Sequence, residues 1–262
     1  MKTAIHNLAL ILSATCFAFA APGDLDSTFG TGGKVTTAIG SNSDARSVLV
    51  QSDGKIVAAG TSGNGSNNVF LAVRYNTGGS LDATFGTGGK VTTSFGSGYA
   101  CANSAAVQSD GKIVAAGSYY MGGGAVFAVV RYNTDGSLDA TFGMGGKVTT
   151  SIGFYADYGN SVALQSDGKI VVAGVSNNDD IAVVRYNTDG SLDATFGTGG
   201  KVTTSIGSGM DYGNSVVLQS NGKIVVTGWS YNGSKNDFAV VRYNTDGSLD
   251  GGIFSSVRLL KS

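Results

Sequence analysis

Apolar residues along this chain come in short runs, separated by clusters of Gly, Asn, Asp and Ser, and the runs recur in a fixed order. The stretch 159–207 shows one unit. Ser161-Val162-Ala163-Leu164-Gln165 is a short apolar run, and Ser166-Asp167-Gly168 follows it. Lys169-Ile170-Val171-Val172-Ala173-Gly174 is a second run, rich in the β-branched residues that suit a pleated surface. An Asp-Gly pair between two such runs is the strongest short-range hairpin signal. A third run covers 181–187, and after the turn-rich stretch 188–200 comes a fourth, Lys201-Val202-Thr203-Thr204-Ser205-Ile206. No segment holds a helical period over a helix length. The pattern therefore predicts four antiparallel strands per unit, A to D. Strands A to C are apolar at both parities, which predicts burial on both faces. Strand D alternates with threonine and suits an outer edge, where Thr and Lys201 discourage pairing with another sheet.

The unit occurs four times. Its Arg-Tyr-Asn core recurs at Arg74, Arg131, Arg185 and Arg242, a repeat of roughly 55 residues. Four-stranded units of this length stack as propeller blades, since one unit alone cannot bury its apolar surface. The expected fold is all-β: a β-propeller of four four-stranded blades, at about 41–96, 97–153, 154–207 and 208–250, within a domain spanning 21–262. The phase of the ends bears on closure. Residues 23–29 match the turn between strands C and D, and 34–39 read as a strand D without A, B or C before it. The last copy has A, B and C but leaves the pattern after Asp250. The N-terminal outer strand is thus expected to complete the last blade and close the ring. The alternative is an open arc of blades that completes a ring by oligomerisation, with the tail 253–260 competing for the same slot.

Residues 1–20 read as a secretory signal peptide: Lys2, an apolar stretch from Leu8, and the small-x-small site Ala18-Phe19-Ala20. Lipidation at Cys16 fits less well, because Thr15 and Ser13 precede it. Removal of this segment leaves Cys101 as the one cysteine and no histidine, so an intrachain disulfide, a zinc site and histidine catalysis are excluded in the mature chain. The net charge of −1 argues against nucleic acid and anionic membranes as partners. No other apolar run is long enough to span a bilayer.

The unit LDATFGTGGKVTTSIG…SVALQSDGKIVVAG…FAVVRYNTDGS resembles the delta-60 repeat of exported bacterial proteins, over about 23–250. The resemblance implies a propeller-like fold and a secreted, periplasmic or cell-surface location. It brings no catalytic residues to transfer.

Several motifs invite chemistry. Phe-Gly-x-Gly-Gly-Lys, at Phe29, Phe85, Phe142 and Phe196, has a phosphate-loop flavour, but Val follows the Lys and a strand follows where a helix is needed. It reads as a glycine turn into strand D. The stretch Asn187 to Asp193 places oxygen side chains at alternate positions, as calcium loops do, yet its glycine is misplaced and the residues are also ordinary turn formers. No cofactor is expected, with calcium the one candidate. Arg74, Arg131, Arg185 and Arg242 are expected to latch onto an Asp of the following turn, such as Asp189 or Asp193 for Arg185.

Up-and-down strands sort the loops onto two ends. The A-to-B and C-to-D turns are nearly constant among the copies, and the variation lies in the D-to-A and B-to-C connections. That end carries the candidate ligand-binding residues Tyr99, Tyr119, Tyr120, Tyr155, Asp157, Tyr158, Asp211, Tyr212, Trp229 and Tyr231. Tyr and Trp among Gly, Ser and Asn make an adaptable recognition surface, and aromatic faces beside carboxylates and amides suit sugars. The reading is a non-catalytic binding or adhesion module for a glycan or a cell-surface protein. The alternative is a propeller hydrolase or lyase that uses loop carboxylates.

Overall fold

The computed structural model describes residues 23–63, 67–176 and 180–251. The signal segment, the loop Asn177-Asn178-Asp179 and the tail 253–260 lie outside the described residues. The described chain is all-β. The first sheet contains β1 (Asn42–Val50), β2 (Ile56–Gly63), β3 (Asn68–Tyr75) and β4 (Lys90–Thr93), and the second β5 (Tyr99–Val107), β6 (Ile113–Met121), β7 (Gly124–Tyr132) and β8 (Lys147–Thr150). The third holds β9 (Asp157–Leu164), β10 (Ile170–Ser176), β11 (Asp180–Tyr186) and β12 (Lys201–Thr204). The fourth has β13 (Asp211–Leu218), β14 (Ile224–Tyr231) and β15 (Asn236–Tyr243). Each sheet is an antiparallel meander in chain order, which is the A-B-C-D blade.

The Ser-Asp-Gly turns form as their residues require. In the third sheet the Gln165 amide donates to the Lys169 carbonyl at 2.8 Å, and Gly168 takes φ of 84°, which a Cβ would oppose. Every strand A carries a bulge, at Arg46, Asn103, Asn160 and Asn214. The bulge doubles as a fastener. Asn103 Nδ2 donates to the Gly159 carbonyl at 2.8 Å and Asn160 Nδ2 to the Gly213 carbonyl at 2.9 Å, each in strand A of the next sheet. The serine after each bulge accepts an amide from that next strand: Ser47 from Ala105, Ser104 from Val162, Ser161 from Val216.

The sheets pack face to face over apolar layers. Phe85, Phe142 and Phe196, each fully buried, fill the junctions together with strand residues of both sheets. Two further links repeat across the junctions. The tyrosine ending strand C bonds a threonine of the preceding strand D, as in Thr93–Tyr132 at 2.7 Å, Thr150–Tyr186 at 2.8 Å and Thr204–Tyr243 at 2.9 Å. The glycine amide of the turn before strand D donates to the next sheet, as from Gly143 to the Asp189 carbonyl at 2.7 Å.

Closure is where the structure departs from expectation. Residues 34–39 do not complete the last sheet, which has three strands among the described residues. They lie instead on the first sheet: Thr37 bonds Tyr75 at 2.8 Å, and the Gly30 amide donates to the Gly78 carbonyl at 2.9 Å. These are the same contacts that Thr93 makes with Tyr132 and Gly143 with Asp189. The local match to the following blade decides the position. Among the described residues the four sheets are not closed into a ring.

Candidate functional site

The end with the constant turns is built around the four arginines. Arg185 Nε donates to Asp193 at 2.8 Å, and Arg74 and Arg131 bond Asp82 and Asp139 in the same way at 2.7 and 2.8 Å. The partner is thus the aspartate eight residues on, not Asp189. Arg242 repeats the bond with Asp250. A second guanidinium nitrogen crosses to the next sheet, where the carbonyls of Thr134, Thr188 and Thr245 accept from Arg74, Arg131 and Arg185. Phe85, Phe142 and Phe196 lie beneath the same guanidinium groups at 4.5–4.6 Å. Burial works against the charge on Asp82, Asp139 and Asp193. Hydrogen bonds from the following threonine, the ammonium of a strand-B lysine and the arginine outweigh it, and hold these carboxyls well below the usual carboxylate range.

The Asn187 to Asp193 loop meets its own needs. Asp189 Oδ1 accepts from the amide and hydroxyl of Ser191, and Asp193 Oδ1 from those of Thr195. Among the described residues no three His, Cys, Asp or Glu side chains gather where they could hold a metal ion.

The variable end is different. Tyr99, Tyr119, Tyr120 and Tyr158 come together around an open groove of about 450 Å³ between the second and third sheets. Its lining also includes Met121 and the glycines 122–124, and no charged side chain. The hairpin joining β6 to β7 turns on Gly122 and Gly123, both at positive φ as a two-residue primed turn demands. Gly98 and Gly124 form a close-packed floor, for a Cβ there would lie 1.8 Å from the Tyr120 carbonyl oxygen and 2.0 Å from that of Tyr155. Tyr120 and Tyr158 tilt toward each other at 5.8 Å between centroids. Tyr119 is buried against Phe95 and makes the wall, whereas Tyr99 and Tyr120 remain 53% and 38% exposed. Burial pushes the Tyr120 phenol up.

The remaining candidates lie elsewhere. Tyr155 is largely exposed beside the groove. Asp157 and Asp211 are buried and turned inward: Asp157 accepts the amides of Ile152 and Gly153 and the Ser176 hydroxyl, and Asp211 accepts the Ile206 and Gly207 amides. They tie the loop into the sheet and present no carboxylate to a ligand. Tyr212 stacks on Trp229 at 4.6 Å and 9° on the last sheet, within electrostatic reach of Tyr120, and Tyr231 ends β14. The sequence places Met121 in the variable loops, but Gly98 and Gly124 were not among the candidates. A Gly-Gly-Gly run after Tyr119-Tyr120-Met121, in one copy only, was the available signal.

The chain belongs to a β-propeller repeat family. The family's description is "Domain of unknown function (DUF5122) beta-propeller", and it matches residues 51–85, 108–142, 165–196 and 219–252. Each match runs from the A-to-B turn through strands B and C, with the variable loop between them, to the turn that follows. No curated protein matches the chain. Among solved structures, it is similar to a protein of unknown function from Bacteroides caccae, with 13% identity, TM-score 0.49, and coverage of 81% of this chain and 68% of that one. A gluconolactonase from Xanthomonas campestris shows 14% identity and TM-score 0.43, over 77% of this chain and 59% of that one. An α-L-arabinanase from Cellvibrio cellulosa, complexed with arabinohexaose, shows 11% identity and TM-score 0.43, over 78% and 76%. Likenesses at this level carry no activity to this chain.

Proposed function

We propose that the protein is an exported, non-catalytic recognition module of the delta-60 type that binds a neutral glycan in the tyrosine groove between the second and third sheets. The observation that carries this reading is the gathering of Tyr99, Tyr120, Met121 and Tyr158 around an open groove with no charge in its lining. Tyrosine rings offer flat apolar faces with a polar tip, which suits the C–H faces and hydroxyls of a sugar ring. The inward commitment of Asp157 and Asp211 favours binding over hydrolysis, since two of the loop carboxylates that acid–base chemistry would use are engaged by backbone amides. Location at the cell surface, in the periplasm or in the medium follows from the signal-like segment 1–20. The test is a glycan array on the full chain, followed by titration of any hit. Tyr120→Ala and Tyr158→Ala should each weaken binding at least about tenfold. Asp167→Asn, on the other end, should leave it unchanged. Binding that survives both tyrosine changes, or turnover of the hit glycan, would defeat the reading.

A further inference from the structure

The two ends of the arc are complementary halves of one junction. At the last sheet the face toward the missing next blade is open: Phe238 is 84% exposed and Val217 56%, whereas Phe70, Phe127 and Ile181, at the position of Phe238 in the other sheets, are fully buried. Cross-strand pairing places Trp229 on this face, opposite Phe238 on one side and stacked on Tyr212 on the other. Asn214 and Ser215, which repeat the fasteners Asn160 and Ser161, are exposed. At the first sheet the opposite face is open. Val48 is 69% exposed, while its counterparts Ala105, Val162 and Val216 are buried by the blade before them. The outer part of that face already carries strand D of a preceding blade, residues 34–39, docked through Thr37 and Gly30. What the first sheet lacks is strands A, B and C ahead of it. Among the described residues, the last sheet lacks a strand D and a following blade.

We propose that a second copy of this chain fills both needs: the last sheet of one copy docks on the first sheet of its partner, and the partner's residues 34–37 pair with β15. The register is set by the other sheets, where Ile181 opposes Thr204 and Val184 opposes Lys201. Carried over, Phe238 opposes Thr37 and Ala239 opposes Thr36 of the other copy. Asn214 then faces the Ala45 carbonyl, and Ser215 the Val48 amide, as Asn160 and Ser161 face Gly213 and Val216. The Lys-Val-Thr-Thr segment of strand D occurs at 34, 90, 147 and 201, and the last three already belong to their own sheets. The tail after residue 251 contains no such segment. Closing the ring within one chain would require the existing junctions to change angle, although their cores are fully buried and cross-linked by the Arg, Asn, Ser and Tyr bonds. Packed junctions resist such continuous deformation. A second copy only repeats a junction already built three times. Two head-to-tail contacts related by a two-fold axis close the assembly, giving about eight blades, within the ordinary range for propellers.

The test uses the full chain with Cys16 and Cys101 replaced by serine. One preparation carries Thr36→Cys and another Ala239→Cys, and the two are mixed under mild oxidation. Paired positions in antiparallel strands lie within disulfide reach, so the mixture should give a cross-linked species of twice the chain mass, and neither preparation alone should do so. Light scattering of the unmodified chain should show a dimer, and Phe238→Lys should weaken association at least about tenfold. Circular dichroism should show that variant folded, because the side chain it replaces is exposed. A monomer at every concentration, no cross-link in the mixture, or a disulfide within a single chain carrying both cysteines in place of the mixed one would overturn the proposal. The last two results mean that the tail or the chain's own strand fills the slot.

Discussion

Replacing Arg185 by alanine tests the physical account of the stack most directly. The guanidinium is 6% exposed and its Asp193 partner 5% exposed, so the pair sits where water cannot replace a lost bond. Four contacts go with the side chain: the 2.8 Å bond to Asp193, the bond to the Thr245 carbonyl in the next sheet, a 3.4 Å bond to the Thr195 hydroxyl, and the face of Phe196 at 4.5 Å. Removing one partner of a buried ion pair costs about 3–5 kcal/mol. The lower end applies, because Asp193 keeps Lys169 at 3.2 Å and both Thr195 donors. The expected loss is therefore about 3 kcal/mol, or a fall in Tm of about 6–12 °C for a domain of this size. Urea unfolding followed by circular dichroism measures it. The Trp229 emission reports the last sheet separately, because Arg185 ties the third sheet to the fourth. The last sheet should loosen first, since contacts in a stacked array run only between neighbours. Arg185→Lys should recover only part of the loss, as an ammonium cannot hold the aspartate and the carbonyl in one planar fork. Arg46→Ala, which removes an exposed pair with Asp44, should cost less than about 1 kcal/mol. A loss under about 1 kcal/mol at Arg185 would refute the claim that the latch holds adjacent sheets together.

Acid should weaken the protein through the same groups. Asp82, Asp139 and Asp193 have folded pKa values below the unfolded value of about 3.9, so their contribution is full above that pH and is lost as pH falls through the folded values. The urea midpoint should hold between neutral pH and about pH 5 and drop below about pH 4, less steeply in Arg185→Ala. Gly174→Ala should cost about 3 kcal/mol, because its Cβ would lie 1.8 Å from the Tyr158 carbonyl oxygen. Gly199→Ala should cost only about 1 kcal/mol, from positive φ in open space, and the two denaturation curves should separate clearly. Melting curves recorded with calcium and with a chelator should superimpose, since the Asp189 and Asp193 oxygens are engaged within their loops. A large rise in Tm with calcium would contradict that account.

The strands were legible because the repeat prints the same period-two and apolar runs four times, and turn chemistry at Ser166-Asp167-Gly168 marks each hairpin. The pairing of Arg185 with an aspartate was legible too, but which aspartate was not. Asp189 and Asp193 both stand in the following turn, and only the bridge from Tyr186 to Leu192 folds the chain back so that Asp193 meets Arg185. The site was legible as an end of the molecule rather than as a place. Tyr120 and Tyr158 lie in different repeats, and nothing local relates them. Trp229 was likewise legible only as part of the variable end. It sits near a variable loop in sequence, yet alternation along β14 turns it to the open face with Phe238. Asp157 and Asp211 looked like exposed loop carboxylates, but each opens a strand A and caps the amides of the preceding turn.

One division of labour runs through the whole chain. Most repeated links between sheets come from the constant turns, from the bulge of strand A, or from the Tyr–Thr pair of strands C and D, and the lysine opening strand D adds one more, from Lys147 to the Ser94 carbonyl and from Lys201 to the Ser151 carbonyl. The loops of the other end contribute only the backbone carbonyls of Ser94 and Ser151 to these links, so side-chain substitutions there leave the links in place. That freedom explains how one copy can carry Ser118-Tyr119-Tyr120 and then three glycines where another carries Trp229-Ser230-Tyr231. It also explains why the groove lies between sheets rather than within one. A single blade presents only its own two loops, whereas the fixed junction angle brings Tyr120 of one blade to 5.8 Å from Tyr158 of the next. The arginine latch at the other end is one of several links across that junction, with the Asn103, Ser104 and Tyr186 bonds. A change in Arg131, which ties the second sheet to the third through the Thr188 carbonyl, should therefore alter the groove before it unfolds the chain.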